Sequence, residues 1–204
     1  MGRFQDKVVI ITGSSNGIGQ AALLDFAKEG ANVVLHGLNP DRIKETEELL
    51  KKAGVSADRR LRLIELAIPH LKKTKGNTVG VSSTGAFRKP INHDLHTFYS
   101  TASAAFDHYM RNDTERLASF GIRINNVNPG PTKTGIFTHD GSNDAEKNAG
   151  LSVYEKLSRN AVIPGGAEPW EISRVILFLA DEQSKSITGA SYYIDRGLST
   201  FAPQ

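Results

Sequence analysis

The sequence contains no cysteine, which excludes disulfide bonds, thiolate nucleophiles and cysteine-ligated metal sites. Its apolar runs are only as long as strands and its first residues contain no apolar signal region, so we expect neither a membrane span nor a secretory signal. The formal net charge is only +3 and the basic residues are spread along the chain, which gives no sign of a nucleic-acid surface. These features favour a cytoplasmic protein whose partners are neither membranes nor nucleic acids.

Short β-branched runs alternate along the chain with segments whose apolar residues recur at helical spacing. Because a crossover helix must return the chain before a parallel strand can follow, this alternation predicts an α/β fold with a doubly wound parallel sheet. With 204 residues, of which 39% are hydrophobic, we expect a single domain over residues 1–204. Strands are predicted at 7–12, 31–36, 77–82, 122–127 and 191–194, helices at 17–29, 40–53, 61–71, 99–120 and 169–181, and a polar mobile loop at 138–150.

A glycine-rich turn connects the first predicted strand to the first predicted helix. Its glycines permit a tight turn and close backbone approach, and the helix N-terminus offers N–H groups to a pyrophosphate. The second predicted strand completes the context that dinucleotide binding requires, whereas a plain strand-to-helix turn is the alternative interpretation. The predicted cradle consists of Thr12, Gly13, Ser14, Ser15, Asn16, Gly17, Ile18 and Gly19.

This turn resembles the Thr-Gly-x-x-x-Gly-x-Gly fingerprint of the short-chain dehydrogenase/reductase family. Further landmarks of that family follow in the same order, namely Val81-Ser82-Ser83, Tyr99, Asn128-Pro129-Gly130 with Thr134, and Ile187-Thr188-Gly189. The resemblance implies a Rossmann-like fold, NAD or NADP as cofactor, and oxidation or reduction of an alcohol or carbonyl group in a small-molecule substrate. It also implies that Pro129, Gly130 and Thr134 contribute to cofactor binding.

The resemblance further implies a catalytic pair, in which Ser83 holds the substrate oxygen and Tyr99 transfers the proton. The family lysine that lowers the pKa of the tyrosine and holds the cofactor ribose is replaced here by Ser103, one helical turn after Tyr99. A phenol near its ordinary pKa of about 10 is a poor base at neutral pH, and losing such help typically costs about 10²- to 10⁴-fold in rate. The alternative function is therefore a catalytically inactive module that binds a dinucleotide or a partner.

Cofactor preference is expected to depend on the end of the second predicted strand. An acidic residue there would bind the 2′-hydroxyl of NAD, and an arginine would accommodate the 2′-phosphate of NADP. The segment His36-Gly37-Leu38-Asn39 contains neither, so we include Leu38 and Asn39 in the cofactor site and favour NADP only because the carboxylate is missing.

The same resemblance indicates an internal deletion. The family has a strand, a helix and another strand between the positions of Gly54 and Leu61, but only six residues, 55–60, stand there. A strand-helix-strand unit needs about 30 residues, so the strand count must be reduced. The loss would either leave the neighbouring strands with open edges or force the strand at Lys7 to pair with that at Asn77. An internally deleted product is a third explanation of the sequence.

A histidine pair and the expected assembly of the chain give weaker indications. His93-Asp94-x-His96 provides no obvious fourth ligand, and loop histidines are more often solvated, so we expect no metal site. The resemblance also implies a homo-oligomer, although two of the helices through which family members commonly assemble flank the missing region.

Overall fold

The computed structural model describes residues 2–37, 41, 57–58, 64–88, 93–137 and 143–200. They form an α/β fold in which every strand pairing is parallel. The strands are β1 (Val8–Ile11), β2 (Asn32–Leu35), β3 (Ala57–Asp58), β4 (Asn77–Val81), β5 (Arg123–Pro129) and β6 (Ser191–Ile194). The helices are α1 (Gly17–Lys28), α2 (Ile64–Thr74), α3 (His93–Ala118), α4 (Asp144–Arg159) and α5 (Pro169–Ala180).

The chain divides into two compact units, and each contains one three-stranded sheet. The first unit comprises Met1–Ala67 and Pro169–Ser184, and its strand order is β1-β2-β3. The second unit comprises Ile68–Glu168 and Lys185–Gln204, and its strand order is β4-β5-β6. The prediction of an α/β fold with parallel sheets is confirmed, and the single-domain interpretation of residues 1–204 stays a prediction.

The first unit has its core on one face of its sheet. Side chains alternate along β2, so that Val33 and Leu35 are buried beneath α1 and α5, which pack against each other. Leu23 and Phe26 of α1 lie in this core, and Phe26 makes an edge-to-face contact with Phe4 at 4.7 Å between ring centroids. This burial fixes the first helix against the strands from which the glycine-rich turn extends.

The second unit depends on α3, the longest helix that the structure describes. Met110 and Leu117 of this helix are fully buried, together with Ile124 of the adjacent strand β5. Gly80 of β4 pairs with Asn126 of β5, and a Cβ atom at Gly80 would lie 2.2 Å from Asn126 Oδ1. The same Cβ would lie 2.5 Å from the Phe106 ring of α3. Glycine is therefore needed at position 80 because the helix and the neighbouring strand fill the space of a side chain.

Each described sheet has three strands, so four outer strands have only one paired neighbour among the described strands. Two of them are β1, which pairs with β2, and β4, which pairs with β5. The exposed fractions are 70% for Val8, 57% for Ile10 and 48% for Val81, which is unusual for parallel strands because these are normally covered on both faces. The two outcomes expected from a missing central strand, open strand edges or direct pairing of β1 with β4, stay predictions.

Most predicted elements are confirmed, but three details of the sequence analysis differ. β5 continues to Pro129, two residues further than predicted, and α3 begins at His93, so Tyr99 lies in its second turn rather than at its start. The predicted loop at 138–150 is wrong for residues 144–150, which form the first half of α4. These turns contain good helix formers but little apolar periodicity, which is why the pattern was missed. The predicted helix at 40–53 lies outside the described residues except for Asp41.

Among the helices that the structure describes, none combines the length and the apolar character needed to cross a membrane.

The close approach at Gly80 gives a stability prediction. We expect Gly80→Ala to lower the free energy of unfolding by about 1–3 kcal/mol, because the added methyl group overpacks a filled site. Gly85→Ala is the matched control, since a Cβ there would meet its nearest neighbours only at 3.3–3.5 Å, and we expect a loss below about 1 kcal/mol. Urea denaturation of both variants measures the difference, and equal stability of the two would contradict the packing described for β4.

Candidate functional site

The glycine-rich turn joins β1 to α1 in the first unit. Gly13 has a φ of +67°, a left-handed conformation that favours glycine, and Asn16 caps α1 by accepting a hydrogen bond from the Gly17 N–H at 2.7 Å. Gly19 lies in the first turn of the helix, where a Cβ would approach the carbonyl oxygen of Gly13 to 2.4 Å. The turn therefore folds tightly over the N-terminus of α1, where backbone N–H groups favour an anion.

The end of β2 holds this turn in place. Ser14 is fully buried, and its hydroxyl donates to the Ile11 carbonyl oxygen at 2.7 Å and accepts from the His36 N–H at 3.0 Å. The Ser14 N–H donates to the His36 carbonyl oxygen at 2.8 Å, and the Gly13 N–H donates to His36 Nδ1 at 3.3 Å. His36 was not among the predicted site residues, although its place directly after the second strand was a usable signal.

The structure describes all of the predicted cradle from Thr12 to Gly19 and brings it together in one turn. It fits a pyrophosphate in two respects, since a helix begins at the turn and the glycines remove the side chains that would block backbone approach. Leu38 and Asn39 lie outside the described residues.

Ser83 lies directly beyond the end of β4 in the second unit. It is buried and extended, and it caps a short 3-10 helix at Thr84–Ala86 by accepting a hydrogen bond from the Gly85 N–H at 3.0 Å. Because the hydroxyl oxygen serves there as an acceptor, the hydroxyl proton remains available to a substrate oxygen.

Tyr99 lies on α3, and 46% of its side chain is exposed. Gly85 shows how close it comes to Ser83, because a Cβ at Gly85 would lie 3.3 Å from Ser83 Oγ and 3.5 Å from Tyr99 Cε1. Ser83 Oγ and Tyr99 Cε1 are therefore at most 6.8 Å apart, the sum of those two distances. The structure thus brings the two predicted catalytic residues to one accessible place in the second unit.

Ser103 follows Tyr99 by one turn of α3. Its backbone carbonyl oxygen accepts a hydrogen bond from the Ser82 hydroxyl at 3.2 Å, which ties the helix to the segment that carries Ser83. A serine hydroxyl carries no charge, so position 103 supplies no cation to lower the pKa of the tyrosine.

Pro129 is the last residue of β5, and Gly130 and Thr134 follow it beyond the same end of the second sheet. β4 and β5 are parallel, so Ser83 and Pro129 emerge at one edge. The Gly130 N–H donates to the Ile194 carbonyl oxygen at 3.0 Å, and Thr134 Oγ1 accepts from the Ile136 N–H at 3.3 Å. The predicted assignment of these three residues to cofactor binding stays a prediction.

A buried carboxylate lies beneath this end of the second sheet. Asp107 of α3 is 1% exposed, and its carboxylate accepts hydrogen bonds from the amide groups of Asn126 and Asn128. Burial raises the pKa of the Tyr193 phenol, and the Asp107 charge raises this pKa further. These buried residues were not predicted, although Asp107 follows Tyr99 and Ser103 at helical spacing.

No group of three or more residues among the described part of the chain has the composition of a metal site. The side chains of His93, Asp94 and His96 lie outside what the structure describes, so the expected absence of a metal there stays a prediction.

Comparisons with known proteins identify relatives along nearly the whole chain. The family model described as short chain dehydrogenase matches residues 7–60, and the one described as Enoyl-(Acyl carrier protein) reductase matches residues 54–199. The L-xylulose reductase of Caenorhabditis elegans is 27% identical, with 96% of this chain and 97% of that protein covered. The 3-oxoacyl-[acyl-carrier-protein] reductase of Thermotoga maritima is 29% identical, with 96% and 99% covered.

The L-xylulose reductase alignment runs over 254 positions, whereas this chain has 204 residues, so at least 50 positions of the relative have no residue here. Where those positions fall, which the sequence places between Gly54 and Leu61, stays a prediction. The fold also matches a crystal structure of a short-chain dehydrogenase/reductase of Caenorhabditis elegans with its cofactor. That comparison gives a TM-score of 0.84 and 30% identity over 97% of each chain.

These matches agree with the glycine-rich turn and with the placement of Ser83 and Tyr99. The chain belongs to the short-chain dehydrogenase/reductase family of NAD(P)-dependent oxidoreductases that act on alcohol and carbonyl groups.

Proposed function

We propose that this chain interconverts an alcohol and a carbonyl group on a small molecule with NADP as the preferred cofactor, using Ser83 and Tyr99 as its catalytic residues. The observation that carries the proposal is the approach of Ser83 Oγ and Tyr99 to within 6.8 Å of one another beside Gly85. The proposal requires both side chains to contact a single substrate oxygen, and the 46% exposure of Tyr99 supports access of a substrate to this residue.

In the direction of reduction, Ser83 donates a hydrogen bond to the carbonyl oxygen and so stabilises the negative charge that develops there. Tyr99 gives its phenolic proton to the same oxygen, and in oxidation it takes that proton back. When bound, NADPH would supply the hydride for reduction, and NADP⁺ would accept it in oxidation. The Gly85 N–H supports this chemistry because it holds Ser83 Oγ as an acceptor and leaves its proton free for the substrate.

Ser103 limits the rate of this chemistry rather than its type. Without a cation at position 103, Tyr99 has less help in giving up its proton for alcohol oxidation at neutral pH. Carbonyl reduction needs the protonated phenol, which is the ordinary form at neutral pH. We therefore propose carbonyl reduction as the favoured direction.

The preference for NADP rests on the segment that follows β2. Residues 36–39 contain no carboxylate that would repel a 2′-phosphate or bind a 2′-hydroxyl. His36, at the start of this segment, contacts Gly13 and Ser14 through hydrogen bonds, and its Nδ1 is occupied as the acceptor of the Gly13 N–H. A cytoplasmic location and a homo-oligomeric state are further parts of this proposal.

A cofactor titration tests the first half of the proposal. We expect NADPH to bind more tightly than NADH in a fluorescence titration and to raise the unfolding temperature, because a ligand that binds only the folded chain stabilises it. Gly19→Ala should weaken binding by about tenfold or more, since its Cβ would displace the Gly13 carbonyl. Lys28→Ala, at the far end of α1, is the control and should bind like the original protein. Equal affinity of the Gly19→Ala variant would contradict the assignment of the cradle.

A second test addresses the catalytic pair. We expect Ser103→Lys to raise kcat for carbonyl reduction or alcohol oxidation by about 10²- to 10⁴-fold, with the larger gain in oxidation, because the ammonium group lowers the pKa of Tyr99. Ser103→Met has a side chain of similar length without the charge and should give no gain.

The gain should disappear in the double variant Ser103→Lys/Tyr99→Phe, since the lysine acts through the phenol. If Ser103→Lys binds the cofactor but shows no turnover against a panel of aldehydes, ketones and sugars, the catalytically inactive binding module is the better description of this chain.

A further inference from the structure

Asp107, Asn126 and Asn128 form a buried polar cluster beneath the Ser83 end of the second sheet. Asp107 is 1% exposed and the two asparagines are fully buried. Asn126 Nδ2 donates to one carboxylate oxygen of Asp107 at 2.8 Å, and Asn128 Nδ2 donates to the other at 2.8 Å. Within the described part of the chain, no salt bridge reaches this carboxylate.

The cluster contributes little to the stability of the folded chain. A buried charge without a cation has a large desolvation cost, and apolar residues of similar size in such places are often equally or more stabilising. The side-chain oxygens of both Asn126 and Asn128 are also buried without a hydrogen-bond partner, which adds to the cost. Buried polar groups of this kind call for an explanation of what the cluster does.

Asn128 connects the cluster to the candidate active site. Its Nδ2 carries two protons, and besides the bond to Asp107 it donates to the Ser83 carbonyl oxygen at 3.2 Å. That same carbonyl oxygen accepts the Ala86 N–H at 3.1 Å and so closes the short helix around the Ser83 hydroxyl. The position of the Ser83 backbone therefore depends on which way the Asn128 amide faces.

We infer that Asp107 is a positioning residue for Ser83, which acts by fixing the orientation of the Asn128 amide. An ionised carboxylate only accepts hydrogen bonds, so it forces the NH₂ group of Asn128 towards itself and thereby towards the Ser83 carbonyl oxygen. The reversed amide would place its own oxygen against that carbonyl. Asp107 also shares α3 with Tyr99, eight residues or about 12 Å along the helix, so the same contact ties Ser83 to the helix that carries the tyrosine.

This inference rests on the proposed function for its catalytic meaning, but its structural part can be tested without turnover. In Asp107→Asn, the oxygen of the new amide can accept a hydrogen bond from only one of the two asparagines. Its NH₂ group must donate to the other asparagine, whose amide then turns so that its oxygen faces position 107. Two arrangements become available, and in one of them the Asn128 amide turns and the contact with Ser83 is lost. The folded state keeps its hydrogen bonds, while the Ser83 segment loses its single position.

Amide hydrogen exchange followed by NMR measures this loss of a single position in the Ser83 segment. We expect Asp107→Asn to accelerate exchange of the Gly85 and Ala86 amides about tenfold, while the amides of β5 remain as in the original protein. Asp113→Asn is the matched control, because Asp113 is another buried carboxylate of α3 but is bound by Arg116 and Tyr109. Unchanged exchange at residues 85 and 86, or equal acceleration throughout the second unit, would overturn the inference.

The double variant Asp107→Asn/Asn128→Asp distinguishes the position of the carboxylate from its mere presence in the cluster. It keeps one carboxylate and two amides, and the amide introduced at position 107 could bond both partners, but the carboxylate at position 128 would face the Ser83 carbonyl oxygen. We expect exchange at residues 85 and 86 to stay fast. Restoration of slow exchange by this double variant would show that the cluster is only structural.

Turnover provides a further measure wherever the protein reduces a substrate. Asp107→Asn should lower kcat about tenfold in the original background and have no further effect in a Ser83→Ala background, since Asp107 acts through that hydroxyl. An equal loss in both backgrounds would overturn the inference. Absence of turnover in every variant would count against the proposed function, and the exchange measurement would still decide the role of Asp107.

Discussion

The parallel pairing of β4 with β5 is the constraint on which the candidate active site depends. It brings two strand ends to one edge, and the Ser82 N–H continues the ladder by donating to the Val127 carbonyl oxygen at 2.8 Å. α3 can approach this pair closely only because Gly80 has no side chain. The register therefore determines both where Ser83 emerges and how near to it the helix with Tyr99 can lie.

The sequence predicted the elements better than the site that they build. β-branched runs specify β1 and β5 locally, and the phosphate turn has its own glycine pattern, so these features could be predicted without tertiary contacts. The buried contact of Asp107 with Asn128 could not be predicted, although Asn128 belongs to a family landmark, because a buried polar residue looks like a surface residue in a hydrophobic pattern. Their role depends on partners that are distant in sequence and that only the fold brings into contact.

The predicted deletion of central sequence would affect cofactor binding and catalysis unequally. The phosphate turn is built by β1, α1 and the end of β2, which are consecutive and are held by the contacts of Ser14 with His36. It therefore does not need the segment between Gly54 and Leu61, where we predict the deletion. β1 and β4 are outer strands of their described sheets, and exposed apolar side chains such as Ile10 of β1 favour association with other chains.

Ser103 likewise affects the geometry and the acid-base chemistry of the candidate site unequally. Position 103 lies on the helix that Ser82 and Asn128 hold in place, yet the charge that would tune Tyr99 is missing there. The chain thus keeps the costly buried cluster that orients Ser83 while lacking the exposed cation that accelerates proton transfer. A cluster with two unpaired amide oxygens contributes little to stability that an apolar core would not supply. In our proposal its presence is explained by the geometry of a reaction centre, because the cluster positions Ser83 even where the chain lacks part of the acid-base tuning of Tyr99.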